Sequence, residues 1–153
     1  MKEVGKKITT VWVLQPKLKN NLADKIDCSS LGEANALTRA LPRVRIVGST
    51  IVFIEKLRPK EFFGSGKVSE LAEKFRIEKI GLVIINSQIS PVQQRNLEKK
   101  WKVKILDRTG LILEIFADRA VTKEGILQVD MAALTYQRSR LVRAWTHLER
   151  QRG

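Results

Sequence analysis

Four consecutive residues, Gly64-Ser65-Gly66-Lys67, are of the types that hold phosphate groups. A phosphate-cradling loop needs GxxxxGK followed by serine or threonine, so that loop amides hold the phosphates and the hydroxyl binds magnesium. Here position 61 is Glu61 and position 68 is Val68, and the pattern fails at both ends. What remains is a glycine turn opening a helix. It is either a plain helix entry or an anion contact, in which amides and Lys67 take a group such as an RNA phosphate.

The other reactive side chains support no catalytic role. Asp107-Arg108-Thr109 follows a predicted parallel strand at its carboxyl end, the edge where open α/β sheets bind ligands. Thr109 is a natural N-cap there, and a cap plus an ion pair accounts for the trio. A lone carboxylate without a titratable partner is weak ground for acid–base chemistry. His147 is the only histidine and no Cys–His spacing exists, so no metal site is expected. Cys28, the only cysteine, has no basic neighbour to activate it and fits a reducing cytoplasm without disulfides.

Charge is more informative. Lys+Arg 29 against Asp+Glu 16 gives a net +13 and a pI near 10.2, a balance that favours polyanionic partners. Two clusters stand out. Arg95, Lys99, Lys100, Lys102 and Lys104 form one run; Arg138, Arg140, Arg143, Arg150 and Arg152, opposed by Glu149, load the C-terminal segment. A charge run is usually a solvated face. The second cluster is all arginine, whose planar fork pairs with phosphate and stacks on bases. The candidate RNA contacts are therefore Arg138, Arg140, Arg143, Arg150, Arg152, Lys99 and Lys100, with Gly64, Gly66 and Lys67 as an anion-binding turn.

The elements that position these residues follow from periodicity. Val11 to Leu14 is a wholly apolar run that Pro16 should stop, as in a strand buried on both faces. Ser30 to Glu33 fits a capping box for a helix with Ala34, Leu37 and Leu41 on one face, ended by Pro42. Arg43 to Ile54 reads as two strand pieces around Gly48, and Lys56 to Phe63 as a connecting loop. Val68, Leu71, Ala72 and Phe75 mark the helix after the glycine turn. Leu82 to Ile85 and Val103 to Leu106 are strands, separated by a helix with a second capping box at Ser90 to Gln93. Alternating strands and helices imply a parallel sheet of about four strands in residues 1–106, an α/β fold.

Residues 107–153 then read as a helical part: a short apolar helix followed by one long amphipathic helix. Leu127, Met131, Leu134, Leu141, Trp145 and Leu148 recur in steps of four and three, with Arg138 in the one polar slot. That period lets one helix face another along its length. From Thr122 to Gln151 the helix would run about 40 Å, more than a small domain covers. Its expected partner helix is not in the sequence. No apolar run of 18 residues exists to cross a membrane, and the N-terminus has no apolar region suited to a secretory signal.

The segment DRTGLILEIFADRAVTKEGILQVDMAALTYQRSRLVRAWTHLERQRG, with FFGSGKVSEL and ISPVQQRNLEKKWKVKILDRTGLI upstream, closely resembles the region before the GTP-binding domain in the HflX family of translational GTPases. The resemblance is close from Phe62 onward; before that it is only a strand–helix pattern. It implies an N-terminal region that binds the large ribosomal subunit and its RNA, and takes part in ribosome splitting or rescue. In the family a return helix and a GTPase domain follow, and GTP and magnesium bind through that domain. Neither is present, and no guanine-reading NKxD occurs, so this chain alone is expected not to hydrolyse GTP. Two other readings remain open. One is a small enzyme using Asp107 and Lys67 beside a nucleotide, consistent with ATP binding by the N-terminal part of the family. The other is a scaffold that dimerises through its long helix.

Overall fold

The computed structural model describes the backbone of residues 7–19 and 28–152, and the side chains of 7–19 and 30–138. The expected basic lead-in at 1–6 and most of the ambiguous stretch from Asn20 to Cys28 lie outside the described residues. In chain order the elements are β1 (Thr9–Leu18), α1 (Cys28–Arg39), β2 (Val44–Ile54), α2 (Ser65–Ile77), β3 (Leu82–Ile85), α3 (Pro91–Trp101), β4 (Lys104–Asp107), α4 (Arg108–Arg119) and α5 (Lys123–Arg152). The strands form one parallel sheet in the order β2-β1-β3-β4. This is the α/β fold that the alternating pattern implies, ending in a long helix.

Both faces of the sheet are covered, which explains the unbroken apolar runs. Trp12 and Leu14, with Val83, Ile85 and Ile105, point to one face and pack on Val68, Leu71 and Phe75 of α2 and Leu97 and Trp101 of α3. Val11 and Val13, with Leu82, Ile84 and Leu106, point to the other and meet Ala34 of α1 and Leu111 and Ile115 of α4. Helix α3 starts as its sequence dictates. The Gln93 amide donates to Ser90 Oγ at 3.1 Å, and the Ser90 amide donates to Gln93 Oε1 at 2.8 Å.

Three local expectations are corrected. Strand β1 runs through Pro16 to Leu18, because β3 pairs only with Val11–Leu14. Leu14 accepts from the Asn86 amide on the β3 side. By alternation Pro16 faces that side too, beyond the end of β3, where no ladder bond needs its missing N–H. Helix α1 begins at Cys28, so Ser30 lies inside it and caps nothing; Glu33 instead faces Arg108 at 3.5 Å. Lys56 to Phe63 is a connecting loop, as expected, and it contributes to the core. Phe62 and Phe63 are core residues, 3% and 0% exposed.

The third correction concerns β2, which is one strand rather than two pieces. Its register against β1 shifts between Val11 and Trp12, leaving Val47 as the extra residue of a bulge. A Cβ on Gly48 would lie 2.4 Å from the Trp12 ring. That indole is fixed by its Nε1–H bond to Thr50 Oγ1 at 3.1 Å and by Phe75, whose ring centre is 6.2 Å away. We therefore expect Gly48→Ala to destabilise the chain by about 1–3 kcal/mol, the usual range for overpacking. Urea unfolding measures it. An unchanged midpoint would mean that the indole does not occupy this site.

Candidate nucleic-acid interface

The glycine turn is a helix entry. Gly64 is the N-cap of α2 in an extended conformation, with no side-chain cap, and Gly66 occupies the first turn with open space around it. Lys67 faces Glu70 of its own helix at 3.4 Å. The preceding loop is clamped onto α3: Gln93 Nε2 donates to the Arg58 carbonyl at 2.7 Å and Asn96 Nδ2 to the Lys60 carbonyl at 2.8 Å. Lys100 pairs with Glu61 of that loop, whereas Lys99 is exposed. Lys100 thereby reaches the loop that leads into the turn, and the Trp101 indole beside it donates to the Val68 carbonyl, next to Lys67, at 2.9 Å. Lys67 opens α2 at the carboxyl edge of the sheet, and Lys99 and Lys100 close α3 toward the amino edge.

Asp107, not Thr109, caps α4. Its carboxylate accepts from the Gly110 amide at 2.9 Å, and the side chain is 2% exposed. It also accepts from the Tyr136 hydroxyl of α5 at 2.7 Å. A Cβ on Gly110 would lie 3.1 Å from that hydroxyl and 3.3 Å from Asp107 Oδ1, so glycine makes room for the approach. Tyr136 is thus a docking residue missed by periodicity. Its only sequence signal is a polar-tipped aromatic between seam positions, and its partner is 29 residues away.

Helix α5 runs back along α4, and Tyr136 brings it to the carboxyl edge of β4. It continues from Gln137 to Arg152, about 24 Å at about 1.5 Å per residue. Gly125, Val129, Ala133 and Tyr136 are half-buried against the body. At about 100° per residue the seam residues lie on the opposite side of the helix. Leu127, Met131 and Leu134 are accordingly 55%, 69% and 63% exposed, and Arg138 is exposed beside them. The side chains of Arg140, Arg143, Arg150 and Arg152, and of seam residues Leu141, Trp145 and Leu148, lie outside the described residues, as do those of His147 and Cys28. Among the described residues no group of His, Cys, Asp and Glu is arranged to hold a metal, and no helix is long and apolar enough to cross a membrane.

Residues 28–117 match the family described as GTP-binding GTPase N-terminal, and residues 119–153 match the GTP-binding GTPase Middle Region. The chain is 54% identical to a GTPase HflX of Magnetococcus marinus over 110 residues, covering 72% of this chain and 26% of that protein. A GTPase HflX of Lacrimispora saccharolytica is 35% identical over 155 residues, covering 100% of this chain and 34% of its own length. The chain thus spans about a quarter to a third of the curated relatives it matches. Among solved structures, a GTP-binding protein from the archaeon Sulfolobus solfataricus in complex with GDP shares the fold. Its TM-score is 0.67 at 23% identity, over 94% of this chain and 42% of that one. With its N-terminal and middle regions both matched in order, the chain belongs to the HflX family of GTP-binding proteins.

Proposed function

We propose that this chain is the ribosome- and RNA-binding region of an HflX-type GTPase, acting on the large subunit in ribosome splitting or rescue. One observation carries the reading: a long helix, anchored at Tyr136, leaves Leu127, Met131 and Leu134 exposed ahead of that anchor and runs on beyond it to Arg152 through an arginine-rich stretch of sequence. On this reading residues 1–106 form the α/β subdomain and 107–153 a helical one, in which α4 packs on the sheet and α5 projects. A return helix covers Leu127, Met131 and Leu134, and a GTPase domain supplies the GTP and magnesium site. Arg138, Arg140, Arg143, Arg150 and Arg152 contact RNA from the projecting helix, with Lys99 and Lys100 on the body and the turn at Gly64, Gly66 and Lys67 as a further anion contact. No nucleotide chemistry is assigned to this chain.

Co-sedimentation with large ribosomal subunits tests it. Phosphate contacts release counterions, so affinity should fall steeply with salt, by about a thousandfold or more between about 50 and 200 mM if six or more phosphates are engaged. Binding that ignores salt, or is absent at low salt, overturns the reading.

A further inference from the structure

We propose that the amino edge of the sheet is a second RNA-binding surface, distinct from the projecting helix; the proposal rests on the reading above that this chain binds RNA. A parallel sheet brings the ends of α1, α2 and α3 and the starts of β2, β3 and β4 to one edge. Arg43, Lys79 and Lys102 sit just ahead of those three strands with φ of 56°, 53° and 53°. They are three of the four described non-glycine residues with positive φ. Glycine or asparagine relieves strain in this conformation, so long cationic side chains are not what the backbone favours there. Cations do complement the negative end of a helix. That explains a basic residue somewhere in the last turn, but not one at each left-handed position.

The positions are held in a row. The Thr9 amide donates to the Arg43 carbonyl at 2.9 Å, Thr10 Oγ1 to the Lys79 carbonyl at 2.7 Å, and the Lys104 amide to the Gly81 carbonyl at 3.2 Å. From β2 to β4 the row is about 14 Å long, at about 4.8 Å per strand spacing. Arg39, Arg45 and Lys104 flank it, and all six cations are exposed. Elsewhere Lys19, Lys67, Lys100 and Arg108 each face a carboxylate. None of the six forms an ion pair among the described residues, and Glu78 is the acid beside them. Nearby Glu73 is engaged by Arg76, whose hydrogen bond holds its carboxyl below the ordinary value. A rigid row of lysine and arginine, without ion pairs among the described residues and with its spacing set by the sheet, fits the phosphates of an RNA backbone.

The test combines Arg43→Gly, Lys79→Gly and Lys102→Gly in the 153-residue chain and measures binding to a mixed-sequence RNA hairpin across a potassium chloride series. Glycine removes the charge while relieving the backbone, so Tm should hold or rise. RNA affinity should fall about 10- to 100-fold, and the plot of log affinity against log salt should flatten by about 2–3, near 0.7–0.9 for each phosphate no longer neutralised. Arg138→Gln with Arg140→Gln and Arg143→Gln serves as the other arm. If that variant loses affinity while the glycine variant binds with wild-type strength and slope, the edge surface is overturned and the projecting-helix reading stands. If the unaltered chain binds no RNA at low salt, both fall. Should the glycine variant not fold, Arg39→Gln with Arg45→Gln and Lys104→Gln, at positions without positive φ, must show the same loss or the proposal is wrong. Binding to anionic phospholipid vesicles is measured in parallel; a charge loss that affects vesicles alone would also overturn it.

Discussion

Phe63→Ala is expected to destabilise the chain by about 3–5 kcal/mol, the range for deleting a fully buried phenylalanine. Phe63 is 0% exposed and lies between two other rings, with centroids 5.0 Å from Phe62 and 5.9 Å from Trp101. Trp101 in turn meets Phe75 edge-on at 5.1 Å and donates from Nε1 to the Val68 carbonyl at 2.9 Å. Removing Phe63 therefore opens a cavity at the centre of the contact between α2, α3 and the loop that leads into Gly64. Little can collapse into it, since the loop is tied to α3 at Arg58, Lys60 and Glu61. Domains of this size have total stabilities of about 5–15 kcal/mol, so the variant should lose much of its margin. Urea unfolding is the measurement, with Phe63→Leu as the control that keeps most of the volume. A loss below about 1 kcal/mol would mean that the loop relaxes freely and that the aromatic column is not what fixes the glycine turn.

This aromatic column also marks the limit of reading the fold from the chain alone. Helix α3 was legible because its start signal is local: Ser90, Pro91 and Gln93 satisfy one another within four residues. So were β3 and the core face of α2, where period and composition agree. Phe62 and Phe63 read as loop because their partner Trp101 is far along the chain, and no local pattern distinguishes a buried loop phenylalanine from an exposed one. Pro16 misled for a related reason. A proline breaks a ladder only where a neighbour strand is waiting, and the length of β3 is a tertiary fact. The outward seam was legible, since Leu127, Met131 and Leu134 are exposed as a period of 3.5 without a partner demands. Of the edge cations, Lys102 and Lys104 stand in a legible basic run, but their alignment with Arg43 and Lys79 was not legible, because a left-handed φ leaves no mark in residue type.

Asp107→Ala is expected to cost about 2–5 kcal/mol and to release α5 from the body. Two losses combine. The α4 N-cap bond to the Gly110 amide is worth about 0.5–2 kcal/mol. The Tyr136 hydroxyl, half-buried beside Leu106 and Gly110, loses a charged acceptor, at about 1.5–3 kcal/mol for such a bond. Asp107→Asn removes only the charge, because asparagine caps a helix as well as aspartate and keeps an acceptor oxygen for Tyr136. It should recover most of the stability. Tyr136→Phe should leave the cap intact and act chiefly on α5. Both residues have further interactions in the structure, so the single variants are upper bounds on this one bond, and the double-mutant cycle isolates it. Hydrogen exchange then locates the effect: in Tyr136→Phe, amides from Val129 to Gln137 should lose protection while β1 and β3 keep theirs. That outcome would make Asp107 the hinge post through which the sheet's carboxyl edge aims the projecting helix. Equal protection of α5 in wild type and Tyr136→Phe would mean that its apolar contacts alone hold it, and that the buried carboxylate serves only α4.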